Sequence, residues 1–142
     1  MQENTFGYLL STCNNQLIKL LNRELAKADL DLTREQFVVL NLLWEKDSIS
    51  QQFLANRLQK DKYSITKLID GLEKRKLVVR LSSTTDRRLN LIALTPKSME
   101  IRPCVEKVMR DTLKKAFADI PDSDVEFLKV VLEKIIQNIN LS

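Results

Sequence analysis

The chain has 142 residues, 44% hydrophobic and 30% charged, the ordinary mixture of one soluble globular domain. It has no histidine, only Gly7 and Gly71, and two cysteines, Cys13 and Cys104, that form no CxxC. Imidazole chemistry, the usual zinc and copper sites and glycine-rich phosphate loops are therefore excluded, the cysteines fit a reducing compartment better than a disulfide scaffold, and no cofactor is expected.

Phe6, Leu10, Cys13, Leu17, Leu20 and Leu21 recur at spacings of three and four and predict an amphipathic first helix, with Cys13 on its apolar stripe. In "DLTREQFVVLNLLWEK", Thr33 stands three residues before Gln36. This capping-box pattern opens a second helix, apolar on most sides and expected to be buried. Ser48 to Ser50 forms a short extended link, and Ser50 caps a short helix over 51–58 with Phe53, Leu54 and Leu58 inward. Asp61 caps a helix over 62–76 whose buried face is Ile65, Leu68, Ile69 and Leu72. Two apolar runs, Leu77 to Leu81 and Leu89 to Leu94, then flank a polar segment that holds Asp86, Arg87 and Arg88, the pattern of a β-hairpin.

Thr95 and Pro96 supply an N-cap and a first-turn proline to a fifth helix through Val105, Val108, Met109, Leu113 and Phe117, in which Pro103 should produce a kink. Ser123 and Glu126 make another capping box, opening a sixth helix. Its stripe of Val125, Leu128, Leu132, Ile135 and Ile139, widened by Phe127, Val131 and Ile136, is too broad for one neighbour in so small a chain. A homodimer through the first, fifth and sixth helices is the expected cover. No stretch approaches the roughly 20 apolar residues of a membrane span, and no basic region precedes the N-terminal apolar residues, so a cytoplasmic location and no membrane partner are expected.

Function concentrates in the middle. Two short helices joined by a tight polar turn make a helix-turn-helix, and the hairpin after them makes it a winged one. The net charge of +4 is concentrated there too: residues 60–90 hold 9 basic and 4 acidic side chains, the 59 residues before them 6 and 7, and those after them 8 and 8. A basic excess beside a protruding hairpin is the electrostatic footprint of a polyanion binder. The fourth helix presents Lys62, Tyr63, Ser64, Thr66 and Lys67 in its first turns, a set of hydrogen-bonding groups, a ring and cations at the end that normally enters a major groove. An ordinary solvated helix face is the bland alternative, and the hairpin and charge excess argue against it.

In its order of elements the chain resembles the MarR family of bacterial transcription regulators over nearly its whole length. "DKYSITKLIDGLEKRKLVVR" looks like that family's recognition helix and first wing strand, and "DRRLNLIALT" is similar to its wing signature of Asp, Arg, Arg and a distal Leu-Thr. The resemblance implies a mainly α fold with a small β-hairpin wing: one domain over 1–142, with dimerisation helices in 1–30 and 96–142 and the DNA-binding lobe in 31–95. It implies a homodimer on a palindromic operator in double-stranded DNA, acting as a repressor released by a small-molecule effector, with no catalytic residue.

Carried onto this chain, Tyr63, Ser64, Thr66 and Lys67 would face base edges and phosphates beside Lys62, while Ser50 and Gln51 would meet the backbone. Arg88 would enter the minor groove with Asp86 bracing its guanidinium, and Arg87 would contact a phosphate or act as a brace. The chain departs from the family at Lys76, where glycine often closes the recognition helix, and at Gly71, where a longer, often basic residue is common. Cys13 is the candidate for the family's thiol sensor. It falls about one turn past the sensing position, on an apolar stripe, which favours a buried, inert thiol, and Cys104 is treated alike. The competing class is a winged-helix protein-interaction scaffold without operator binding. An enzyme has no defensible constellation.

Overall fold

The computed structural model describes residues 2–82, 85 and 90–142, with side chains from residue 5 onward. Along the chain run α1 (Gln2–Lys27), α2 (Arg34–Glu45), β1 (Ile49–Ser50), α3 (Gln51–Arg57), α4 (Lys62–Lys74), β2 (Val78–Ser82), β3 (Asn90–Leu94), α5 (Pro96–Ala116) and α6 (Asp122–Asn140). The strands form an antiparallel sheet in the order β1-β3-β2. The fold is thus mainly helical with a small sheet that carries the wing.

Four helix starts follow from one local device, a side-chain oxygen that accepts an otherwise unpartnered N–H. Thr33 Oγ1 accepts from Gln36 N at 3.2 Å while Gln36 Oε1 accepts from Thr33 N at 3.1 Å, completing the capping box. Ser50 Oγ accepts from Phe53 N at 3.0 Å, Asp61 Oδ1 from Ser64 N at 2.7 Å, and Thr95 Oγ1 from Ser98 N at 3.3 Å. At α6 the expected Ser123–Glu126 box is absent. The helix begins at Asp122 after Pro121, with no side-chain cap bond. Proline already holds the entry at φ −59°, and its carbonyl accepts from Asp124 N and Val125 N. Asp122 and Asp124 then place negative charge against the helix dipole.

The core of the central lobe is made where α2, α3, α4 and the sheet meet. Val39, Leu40, Leu43, Leu54, Ile65, Ile69, Leu72, Val78 and Ile92 are wholly inaccessible, each contributing about 1.5–3 kcal/mol of transfer free energy. Leu25 of α1 and Val105 of α5 join this cluster and anchor the long helices to it. Gly71 allows α2 and α4 their close approach: a Cβ there would lie 2.6 Å from Nε2 of buried Gln36. Asp47 Oδ1 accepts from both Ser48 N and Leu94 N, at 2.7 and 2.8 Å, fastening the loop before β1 to the end of β3.

Several expectations are corrected. The link at 48–50 is partly a strand, with Ile49 opposite Ile92 and Ser50 opposite Leu91. Phe53 points outward at 52% exposure, leaving Leu54 as the buried residue of the short α3. Cys13 is exposed rather than buried, as is Cys104. Only the C-terminal half of the α1 stripe, at Leu21 and Leu25, is buried within the chain, whereas Phe6 and Leu10 lie open. The fifth helix itself is as expected, with Pro103 inside α5 and the helix running on to Ala116. The α6 stripe, by contrast, is as open as expected: among the described residues of α6 none is buried, and Phe127, Ile136 and Ile139 are each more than half exposed.

Lys76 closes α4 in the left-handed conformation at φ 62°. Leu77 N donates to Leu72 O at 3.0 Å and Lys76 N to Glu73 O at 2.9 Å, a Schellman-type end. A side chain at such a φ is strained, so Lys76→Gly should stabilise the protein by roughly 0.5–1 kcal/mol, the relief less the extra entropy glycine loses on folding. Urea denaturation reads this directly. A lower midpoint for the glycine variant would contradict it.

Candidate nucleic-acid interface

Ile65, Ile69 and Leu72 hold one face of α4 in the core, and the other face is thereby turned to solvent. Lys62, Tyr63 and Lys67 are exposed on it and Ser64 and Thr66 half-buried, so the predicted reading face is assembled on one element. Asp61 fixes where that element begins. The backbone N–H of Ser64 holds its carboxyl below the ordinary aspartate range, with Lys60 adding to the effect. The cap therefore keeps its charge at neutral pH.

Two contacts define how the face is presented. Lys67 Nζ lies 5.2 Å from the centroid of the Tyr63 ring, one turn away, so ring and cation form a single exposed unit. Gln51 Nε2 donates to Thr66 Oγ1 at 2.7 Å, and Thr66 Oγ1 donates to Lys62 O at 2.8 Å. The Thr66 proton is thus committed to the backbone and one lone pair to Gln51. Thr66 is a brace in this arrangement. Among the described residues, the carbonyl and the second amide proton of Gln51, at the start of α3, have no further partner. Sequence reasoning missed this link, which joins residues 15 positions apart.

Ser50, Gln51, Gln52, Asn56, Lys60 and Lys62 line a concave surface between α3, the start of α4 and Asn90 of β3. Lys60 is paired with Glu35 at 3.0 Å, whereas Lys62 is exposed and has no ion-pair partner among the described residues. On the hairpin, Val79 faces Ala93, Arg80 faces Ile92 and Ser82 faces Asn90. Arg80 is a second residue missed from sequence: its NH1 donates to Glu73 Oε1 at 2.7 Å and its NH2 to Asp70 Oδ1 at 2.6 Å. The paired carboxylates at 70 and 73 were the available signal. Asp86, Arg87 and Arg88 lie outside the described residues.

A short helix capped at Ser50, an exposed polar helix set against it and a hairpin bound to that helix define a winged helix-turn-helix DNA-binding protein. Residues 32–89 match the model of the MarR family. The transcriptional regulator MgrA of Staphylococcus aureus is 30% identical over 106 residues, which cover 75% of this chain and 71% of that protein. A solved structure of a MarR mutant from E. coli complexed with operator DNA is 26% identical, with a TM-score of 0.85 over 92% of this chain and 93% of the other. CouR from Rhodococcus jostii RHA1, solved bound to p-coumaroyl-CoA, is 28% identical, with a TM-score of 0.80 over 92% and 90% of the two chains. The chain belongs to the MarR family. It is a DNA-binding transcription regulator and not an enzyme. No helix among the described residues is long and apolar enough to cross a membrane.

Proposed function

We propose that the chain is a homodimeric repressor that binds a palindromic operator and is released by a small-molecule effector. The observation that carries DNA reading is the exposed Tyr63–Lys67 pair at the start of a helix whose other face is locked in the core. Tyr63 and Ser64 meet base edges, Lys62 and Lys67 meet phosphates, and Thr66 acts through Gln51. Ser50 contributes by capping α3, so that the N-terminal end of that helix meets the DNA backbone with Gln51. The wing adds Arg88 in the minor groove, braced by Asp86, with Arg87 on a phosphate.

The dimer is supported by the apolar surface that α1 and α6 leave open, where residues 1–30 and 96–142 would join two copies. The operator complex of the E. coli MarR mutant supports the DNA partner, and the p-coumaroyl-CoA complex of CouR supports an effector. That effector would sit in the cleft between the dimer helices and the DNA-binding lobe. A thiol switch at Cys13 is a second reading, favoured only by its exposure.

Salt separates this function from a protein-interaction scaffold. Binding to duplex DNA should weaken by about 10³-fold or more between 50 and 200 mM salt if a dimer neutralises at least six phosphates. Binding that is weak at low salt and flat with ionic strength would contradict the proposal.

A further inference from the structure

The geometry points to Arg80 as the positioning residue that sets the wing against the recognition helix; this rests on the operator-binding function proposed above. Tyr63, Lys67, Asp70 and Lys74 follow one another at spacings of four, three and four, so Asp70 continues the stripe that begins with the exposed Tyr63. Glu73 lies one turn beyond Asp70. Two carboxylates there would repel phosphate and would be free to swing toward any cation on the helix. Arg80 prevents both. Strand alternation puts it on the same side of β2 as fully buried Val78, facing α4, and each terminal nitrogen of its guanidinium meets a different carboxylate. Its side chain is 24% exposed and both nitrogens are engaged, so it is a poor candidate for a phosphate contact itself.

An isolated surface ion pair contributes little, but a planar fork bridging two carboxylates is the network geometry in which it contributes most. The position of the fork matters further. Only Arg75 to Leu77 separate α4 from β2; they fix where the hairpin starts, and buried Val78 and Ile92 seat its base on the core without a directional bond to α4. Among the described residues, no other hydrogen bond or ion pair between side chains joins β2 or β3 to α4. Arg80 is thus the polar tether that holds the angle between the helix in one groove and the wing beside it.

The test compares the full-length parent with Arg80→Ala, Arg80→Lys and the double variant Asp70→Asn with Glu73→Gln. Affinities are measured for random-sequence duplex and for duplex selected by the parent, and hydrogen exchange is followed in β2 and β3 without DNA. The double variant loses two negative charges, so random duplex should bind a few-fold tighter while the selected duplex binds about tenfold weaker, a change that simple charge cannot produce. Arg80→Ala should lose about tenfold or more on selected duplex. Arg80→Lys should recover only part, since an ammonium reaches one carboxylate at a time. Faster hairpin exchange in Arg80→Ala and in the double variant, with unchanged exchange in α2, supports the tether. Parallel tightening on both duplexes, or hairpin exchange like the parent's, overturns it. A parent with no preference for any sequence contradicts the operator function instead, and hydrogen exchange then decides the tether alone.

Discussion

Ile136→Glu should convert the proposed dimer to a folded monomer at micromolar concentration. Ile136 is 56% exposed in the single chain, so its replacement leaves the core of the lobe intact, and circular dichroism should be unchanged. In a dimer the same carboxylate would be buried against apolar residues of the second copy. Leaving one charge unpaired in each half costs several kcal/mol, enough to weaken association by about a thousandfold or more. Operator affinity should fall with it by about a hundredfold or more, because the second half-site is no longer bound at high effective concentration. Sedimentation velocity checks the assembly and a binding titration the affinity. A variant that remains a dimer would place the interface elsewhere than on α6. A monomeric parent would remove the proposed symmetry.

The second large effect is expected from the Tyr63–Lys67 unit. Lys67→Ala should weaken all duplex sequences and reduce the salt slope by about one, as the loss of one phosphate contact does. Tyr63→Ala should relax preference at particular operator positions by about 1–3 kcal/mol. Because the ring also holds the ammonium, 5.2 Å from its centroid, the two losses should not add. A double variant should fall short of the sum by about 0.5–1 kcal/mol. Affinity titrations on selected and random duplex at several salt concentrations resolve all three quantities. Parent-like binding by both single variants would mean that this face of α4 does not read DNA.

What could be seen in the sequence was what is local. Thr33, Ser50, Asp61 and Thr95 announce helix starts because a side-chain oxygen reaches the N–H two or three residues on, and all four do so. The polar face of α4 followed from the period of Ile65, Ile69 and Leu72 on the other side. At Lys76, where the sequence departs from the family's glycine, the helix ends in the left-handed conformation that glycine adopts most readily. Periodicity marks a stripe as apolar without saying what covers it. Cys13 was therefore expected to be buried although the open half of α1 has no cover among the described residues. Strand β1 has two residues, too few for an alternation to register. The Gln51–Thr66 and Arg80–Asp70–Glu73 contacts join separate elements, and only the assembled fold brings them together. They bear on the site in substance, since one holds Thr66 Oγ1 between Gln51 and the helix backbone and the other joins a strand arginine to two helix carboxylates.

Selection of bound duplexes from a random pool by the full-length protein tests the central claim most directly. A symmetric dimer with one copy of α4 per half-site should enrich an inverted repeat whose half-site centres lie about 10–10.5 base pairs, or a multiple of that, apart. Recovery of no enriched sequence at low salt, or of a lone half-site without its inverted partner, would contradict it.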